Sequence, residues 1–289
     1  ISSSFGWVPE YAKWRPLAEE HCETCCIRDM IFLAAELIDC GYAEYWADLN
    51  SFARNMLVEN QIDSGAFVAA DNSLPDTDEA TWRDLDRRVV GGYSGGTEPN
   101  AISLRRFRSI AGCCVGTAPQ AIQLVWNRAV AYGRKRLTVN LPVDKATRHG
   151  DVEMGYPNEG FIRVTPKREM DVAIRLYPWM PKKLEGRLGG RPKAFDVEEG
   201  LAVFRNCPAG KPVELRHVLR TRTVTEEVAE RTYTETWRGP DMVDLRPRAE
   251  GGDLQLWQRV EGRKKRYPKP PAERTEGTGL YAQPTQQKR

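Results

Sequence analysis

The sequence predicts an α+β protein of more than one domain, with a helical first part and a β-sandwich behind it. Apolar residues recur at helical spacing over residues 27–60 and again over 117–133. After residue 134 they alternate with polar ones, which is strand spacing, and Gly and Pro punctuate the short segments. The 289 residues leave room for two domains, and the change of period sets the expected boundary between residues 133 and 134.

The elements follow in order. Ile27, Met30, Ile31, Ala34, Leu37 and Ile38 mark a first helix that stops at Gly41, a residue suited to the chain reversal after a helix. Tyr45, Trp46, Leu49, Phe52, Ala53, Met56 and Leu57 share one face of a second helix, so a short turn predicts an antiparallel helical pair. Thr117 as a cap and Pro119 in the first turn open a third helix, which carries Ala121, Ile122, Val125, Trp126, Ala129 and Val130 and ends at Gly133. Strands are expected over Leu137–Leu141, Met170–Leu176 and Val213–Leu219, and less cleanly over Tyr233–Trp237, Met242–Leu245 and Leu254–Trp257. Residues 134–262 therefore form the expected β-sandwich, and the basic, Pro-rich stretch 263–289 is expected to be a disordered tail.

The chemistry lies in the cysteines. Five of the seven fall in two short clusters, Cys22-Glu23-Thr24-Cys25-Cys26 and Cys113-Cys114, each just ahead of a predicted helix. Thiolates with a carboxylate among them are a donor set that zinc accepts, and a helix N-terminus favours the anionic form of each. Glu23 and Cys25, with one residue between them, can face the same side, and the adjacent Cys113 and Cys114 are poorly placed to pair with each other. The plainer reading is that these are buried reduced thiols packing as small hydrophobes. An odd cysteine count suits a reduced compartment, the cytoplasm, better than a disulfide framework.

Other chemistries find no support. With 43 basic against 40 acidic residues there is no chain-wide field for nucleic acid, and no apolar run is long enough to span a bilayer. No phosphate-binding loop and no HExxH pair occurs. The glycine-rich run Gly91–Gly96 with Glu98 reads either as an active-site loop or as a plain flexible one. The chain opens on Ile1 with no signal pattern, which predicts a fragment with residues missing upstream.

The ordered set Glu23-Thr24-Cys25, Ala53-Arg54-Asn55-Met56-Leu57 with Glu59-Asn60-Gln61, Cys113-Cys114 and Leu137-Thr138-Val139-Asn140-Leu141 resembles glycoside hydrolase family 127, which includes β-L-arabinofuranosidases. The resemblance covers about residues 5–257 and implies part of an (α/α)6 barrel followed by a β-sandwich, with the first half of the barrel upstream. It implies a retaining glycosidase with Zn2+ held by Glu23, Cys25, Cys113 and Cys114, Cys113 as nucleophile and a carbohydrate substrate. It also implies a glutamate as acid and base, for which Glu10 is the candidate and Glu19 and Glu20 the competitors. Val115-Gly116-Thr117-Ala118-Pro119-Gln120 and the added Cys22 and Cys26 depart from the family pattern, so the sugar stays open beyond arabinofuranose as first choice. A half barrel leaves apolar helix faces uncovered, and self-association into a homo-oligomer is expected of it. Two other readings stand beside this one: a noncatalytic protein whose fold zinc closes, binding carbohydrate or acting as a scaffold, and a thiol redox protein built on Cys22 and Cys25.

Overall fold

A computed structural model of the chain describes residues 2–11, 21–102, 110–249 and 254–257. The architecture is mixed α and β, with four α-helices and four sheets among the described residues. Helix α1 spans Thr24–Asp39 and buries Ile27, Ile31, Ala34 and Ala35, the face its apolar spacing specifies. It ends where Gly41 takes φ +99°, a conformation that costs glycine little. Helix α2, Tyr45–Ser51, runs on as a π-helical stretch, Phe52–Leu57, in which all six residues are buried. A 3-10 segment (Ala66–Ser73) and the short α3 (Leu85–Arg88) follow.

Helix α4 covers Gly112–Ala129, five residues earlier at its start than the expected Thr117. Cys113 and Cys114 therefore sit inside its first turn, and Thr117 and Pro119 lie in its body. Its end also comes early, because Val130 turns extended and enters a strand that pairs with Arg136–Val139.

Two sheets face each other across a shared core. One has the order Asp196–Glu198, Leu201–Cys207, Met170–Arg175, Arg136–Val139, Val130–Gly133, all antiparallel except the parallel pair of 136–139 with 170–175. The other runs Lys145–Ala146, Gly150–Met154, Phe161–Pro166, Val213–Arg216, Glu185–Leu188, Arg191–Pro192. Leu137, Val172, Ile174 and Phe204 from the first meet Val152, Ile162, Val164 and Leu215 from the second. Each such buried side chain contributes about 1.5–3 kcal/mol.

The strands after residue 220 do not join this sandwich. Thr221–Val228, Arg231–Arg238 and Asp241–Arg246 form a three-stranded meander of their own, and Leu254–Gln255 pairs with Ala101–Ile102. Their apolar residues Tyr233, Trp237, Met242, Leu245 and Trp257 pack with Phe5, Trp7, Ile27, Ile31, Phe52 and Met56 in one core. Alternation in the sequence identifies such strands, but it carries no information on which partner layer receives the buried face. The expected tail, 263–289, lies outside the described residues.

Two buried polar contacts join these parts. Arg54, in the π-helical stretch, donates Nε and Nη2 to the Asp241 carboxylate at 3.0 and 3.1 Å and Nη1 to the Pro142 carbonyl at 2.7 Å. The Glu235 carboxylate accepts from Ser4 Oγ and Trp237 Nε1, both at 2.7 Å, while its Oε1 is buried without a hydrogen-bond partner. Burial, and then the neighbouring Glu226 carboxylate, raise the Glu235 carboxyl to about 7. A carboxyl raised on folding holds its proton better in the folded state, so stability is full below the unfolded value near pH 4–5 and falls as pH rises through about 7. Between pH 5 and 8 the melting midpoint should fall by an amount equivalent to about 2 kcal/mol. Glu235→Gln should flatten that slope in calorimetry, and an unchanged slope would assign it elsewhere.

Candidate metal centre and active site

The site forms where the starts of α1 and α4 meet. Glu23 is the N-cap residue of α1, in extended conformation, and Cys25 lies in the first turn. Helices α1 and α4 pack together, which brings the first turn of α4 beside them. One ligand atom from each of Glu23, Cys25, Cys113 and Cys114 lies within 4.8 Å of all the others. The Sγ–Sγ distances are 3.5 Å for Cys25–Cys114 and 3.9 Å for Cys113–Cys114. A tetrahedral zinc with ordinary Zn–S bonds places its sulfur ligands about 3.8 Å apart, so the spacing fits that ion. All four residues expected from the sequence are thus brought together.

Electrostatics reinforce this. Burial pushes the Cys25 and Cys114 thiols above their ordinary range, so without a cation both stay protonated. Thr117 Oγ1 donates to Cys25 Sγ at 3.5 Å, a bond that favours the thiolate. Cys114 is buried and Cys113 exposed, which leaves Cys113 the thiol that an incoming molecule reaches. Cys22 and Cys26 are not part of the four. Burial raises the first well above the usual thiol range and the second to about 11, and Cys22 Sγ donates to the Glu23 carbonyl.

Glu10 stands next to this group. Its Oε2 lies 2.8 Å from His21 Nε2, and its backbone N–H donates to the His21 carbonyl at 2.8 Å. Glu10, His21 and Glu23 themselves form a cluster within 4.8 Å, so Glu23 belongs to both groups. His21 is buried and hydrogen-bonded to Glu10. The competing Glu19 and Glu20 lie outside the described residues. Trp7 is buried with its Nε1 on the Thr97 carbonyl, so it presents no stacking face to a ligand.

The glycine-rich loop braces the site. The Ser94 carbonyl accepts from Thr24 N–H at 3.2 Å and Thr24 Oγ1 at 2.7 Å, and Cys22 and Thr97 exchange backbone bonds at 2.8 Å. The glycine-rich loop thereby holds the segment bearing Glu23 and Cys25. Gly92-Tyr93-Ser94-Gly95-Gly96 has the GxSxG spacing of a nucleophile elbow, but Ser94 is buried and its Oγ accepts from Gly96 N–H and Thr97 Oγ1. Thr117, expected as a helix cap, instead bonds Cys25 Sγ. No signal in the sequence separates those two uses of a threonine.

No protein-family profile matches the chain, and no curated protein does. Solved structures do. A GH127 beta-L-arabinofuranosidase from Geobacillus stearothermophilus T6 superposes with a TM-score of 0.55 at 16% identity, over 83% of this chain and 40% of that one. The GH127 beta-arabinofuranosidase BT3674 gives a TM-score of 0.57 at 16% identity over 83% and 41%, and a further glycoside hydrolase 0.52 at 18% over 78% and 38%. The chain has a GH127-like fold over that span and covers about two fifths of the length of these proteins. No described helix is long and apolar enough to cross a membrane.

Proposed function

We propose that the chain carries the metal–thiolate portion of a retaining glycosidase acting on β-L-arabinofuranosides or related glycosides. The observation behind this reading is the gathering of Glu23, Cys25, Cys113 and Cys114 within 4.8 Å, with Glu10 adjoining through Glu23. On this reading Glu23 and the three sulfurs hold Zn2+, whose charge keeps buried thiols as thiolates near neutral pH. The helical part, residues 1–133, is then a portion of an (α/α)6 barrel and residues 134–262 the β-part, with the strands after 220 folded back onto the helices. The seven free thiols fit a reducing compartment such as the cytoplasm.

The chemistry assigned to the chain's residues balances. Cys113 sulfur attacks the anomeric carbon as the bond to the leaving oxygen breaks, and the Glu10 carboxyl gives that oxygen its proton. A glycosyl thioether and the departing alcohol result. Glu10, now a carboxylate, takes a proton from water as the water oxygen displaces sulfur, which returns both residues to their starting state. His21, bonded to Glu10 at 2.8 Å, fixes the carboxyl's direction. In active protein Cys113→Ala should abolish release of p-nitrophenol from its β-L-arabinofuranoside, and Glu10→Gln should slow it by about 10²–10⁴. Full activity in Cys113→Ala would rule out the thiolate. Bound zinc with no turnover and no covalent adduct would favour the noncatalytic scaffold.

A further inference from the structure

Three loops meet at one end of the sandwich, and each brings cations. The two-residue turn Arg134-Lys135 joins the strands Val130–Gly133 and Arg136–Val139. The loop before Gly150 supplies Arg148 and His149, and the turn before Met170 supplies Lys167 and Arg168. They are in contact. Lys167 N–H donates to the His149 carbonyl at 2.9 Å, Asp171 N–H to the Lys135 carbonyl at 3.0 Å, and the Arg168 guanidinium lies 4.7 Å from the Tyr132 ring centre. Among the described residues only Lys167 of these cations has a carboxylate partner, Asp151 at 3.0 Å. Glu169, beside Arg168 in the chain, is the nearest other acid in sequence.

Two features show that the charge is held here against local cost. Arg134 and Lys135 both have positive φ, 51° and 59°, where a hairpin turn of this kind prefers Asn-Gly. The other is His149, whose Nε2 faces Arg148 Nε at 3.0 Å and Nδ1 faces Arg168 Nη2 at 2.8 Å. A neutral imidazole has one acceptor nitrogen, so it can satisfy one of these donors and leaves the other short of an acceptor. Partial burial, and then Arg168 and Arg148, hold the ring below its ordinary range, so it adds no charge of its own near pH 7.

We infer that this end of the sandwich binds a polyanionic glycan, a chain bearing carboxylates on successive sugars, through Arg134, Lys135, Arg148 and Arg168. The choice of a glycan rests on the glycosidase reading; the anionic chemistry rests on the cluster alone. The surface is a part of the chain separate from the thiolates, since Cys113 lies in the first turn of α4 and the Arg134-Lys135 turn follows the opposite end of that 18-residue helix, itself about 27 Å long.

Binding to polygalacturonate, to neutral arabinan and to single-stranded RNA is to be measured at low salt. Polygalacturonate should bind and release as salt is added, arabinan should not bind here, and RNA should bind more weakly. Arg134→Asn with Lys135→Gly supplies the residues the turn prefers, so the protein folds, and should lower polygalacturonate affinity about tenfold. Arg148→Gln with Arg168→Gln should do the same. No retention of the wild type, equal retention of either variant, or tighter binding of RNA would overturn the inference. No catalysis enters the assay: full activity of the active protein in Cys113→Ala would sink the glycosidase reading and leave the surface standing.

Discussion

Arg54→Met is expected to destabilise the protein by about 3–5 kcal/mol, the cost of leaving one charge of a buried pair without its partner. Asp241 is 1% exposed and accepts from Nε and Nη2 of Arg54, which is itself buried. The same arginine reaches the Pro142 carbonyl and Met154 sulfur, so one side chain ties the π-helical stretch to the meander and to the sandwich. Removing both charges should hurt less than removing one. In denaturant titrations Arg54→Met/Asp241→Leu should recover a large part of the loss, because a matched apolar pair leaves no stranded ion. A double variant as unstable as the sum of its singles would show that the two residues act separately.

The second large effect concerns the metal. Cys25→Ser and Cys114→Ser are each expected to remove near-stoichiometric zinc from the purified, reduced protein, as read by elemental analysis. The two residues come from different helices, yet their sulfurs are 3.5 Å apart, so loss in both variants would join the two clusters into one site. Cys40→Ser should keep its zinc, since that thiol is exposed at the far end of α1. Wild-type protein that folds but holds no zinc would remove the activated thiolate from the proposed mechanism.

Much of this was legible because periodicity and donor chemistry are local properties. The face of α1 that carries Ile27 and Ile31 and the alternation of Met170–Arg175 follow from side-chain spacing alone. That Glu23, Cys25, Cys113 and Cys114 come together was legible through the family resemblance, since the two clusters hold five cysteines and spacing alone does not single out three of them. What escaped depends on tertiary choices. Pro119 suggests a first turn wherever it stands, yet α4 starts at Gly112 because packing against α1 stabilises the extra turn and its two cysteines. The meander's return to the helical core is set by the depth at which Tyr233, Trp237 and Trp257 are buried beside Phe5 and Trp7, and no spacing rule encodes it. Arg54 looks like any helical arginine until Asp241, 187 positions away, is placed against it.

The 3.5 Å contact between Cys25 and Cys114 closes a loop with a sequence separation of 89. A link across a loop of that size removes conformational freedom from the unfolded chain worth about 4–5 kcal/mol, on the scale of a disulfide. An ion held there would act as a removable staple whose strength depends on metal supply and pH. Chelation would then release α1, the glycine-rich loop and the start of α4 as a unit, while the sandwich, whose core contains none of the four ligands, would keep its fold.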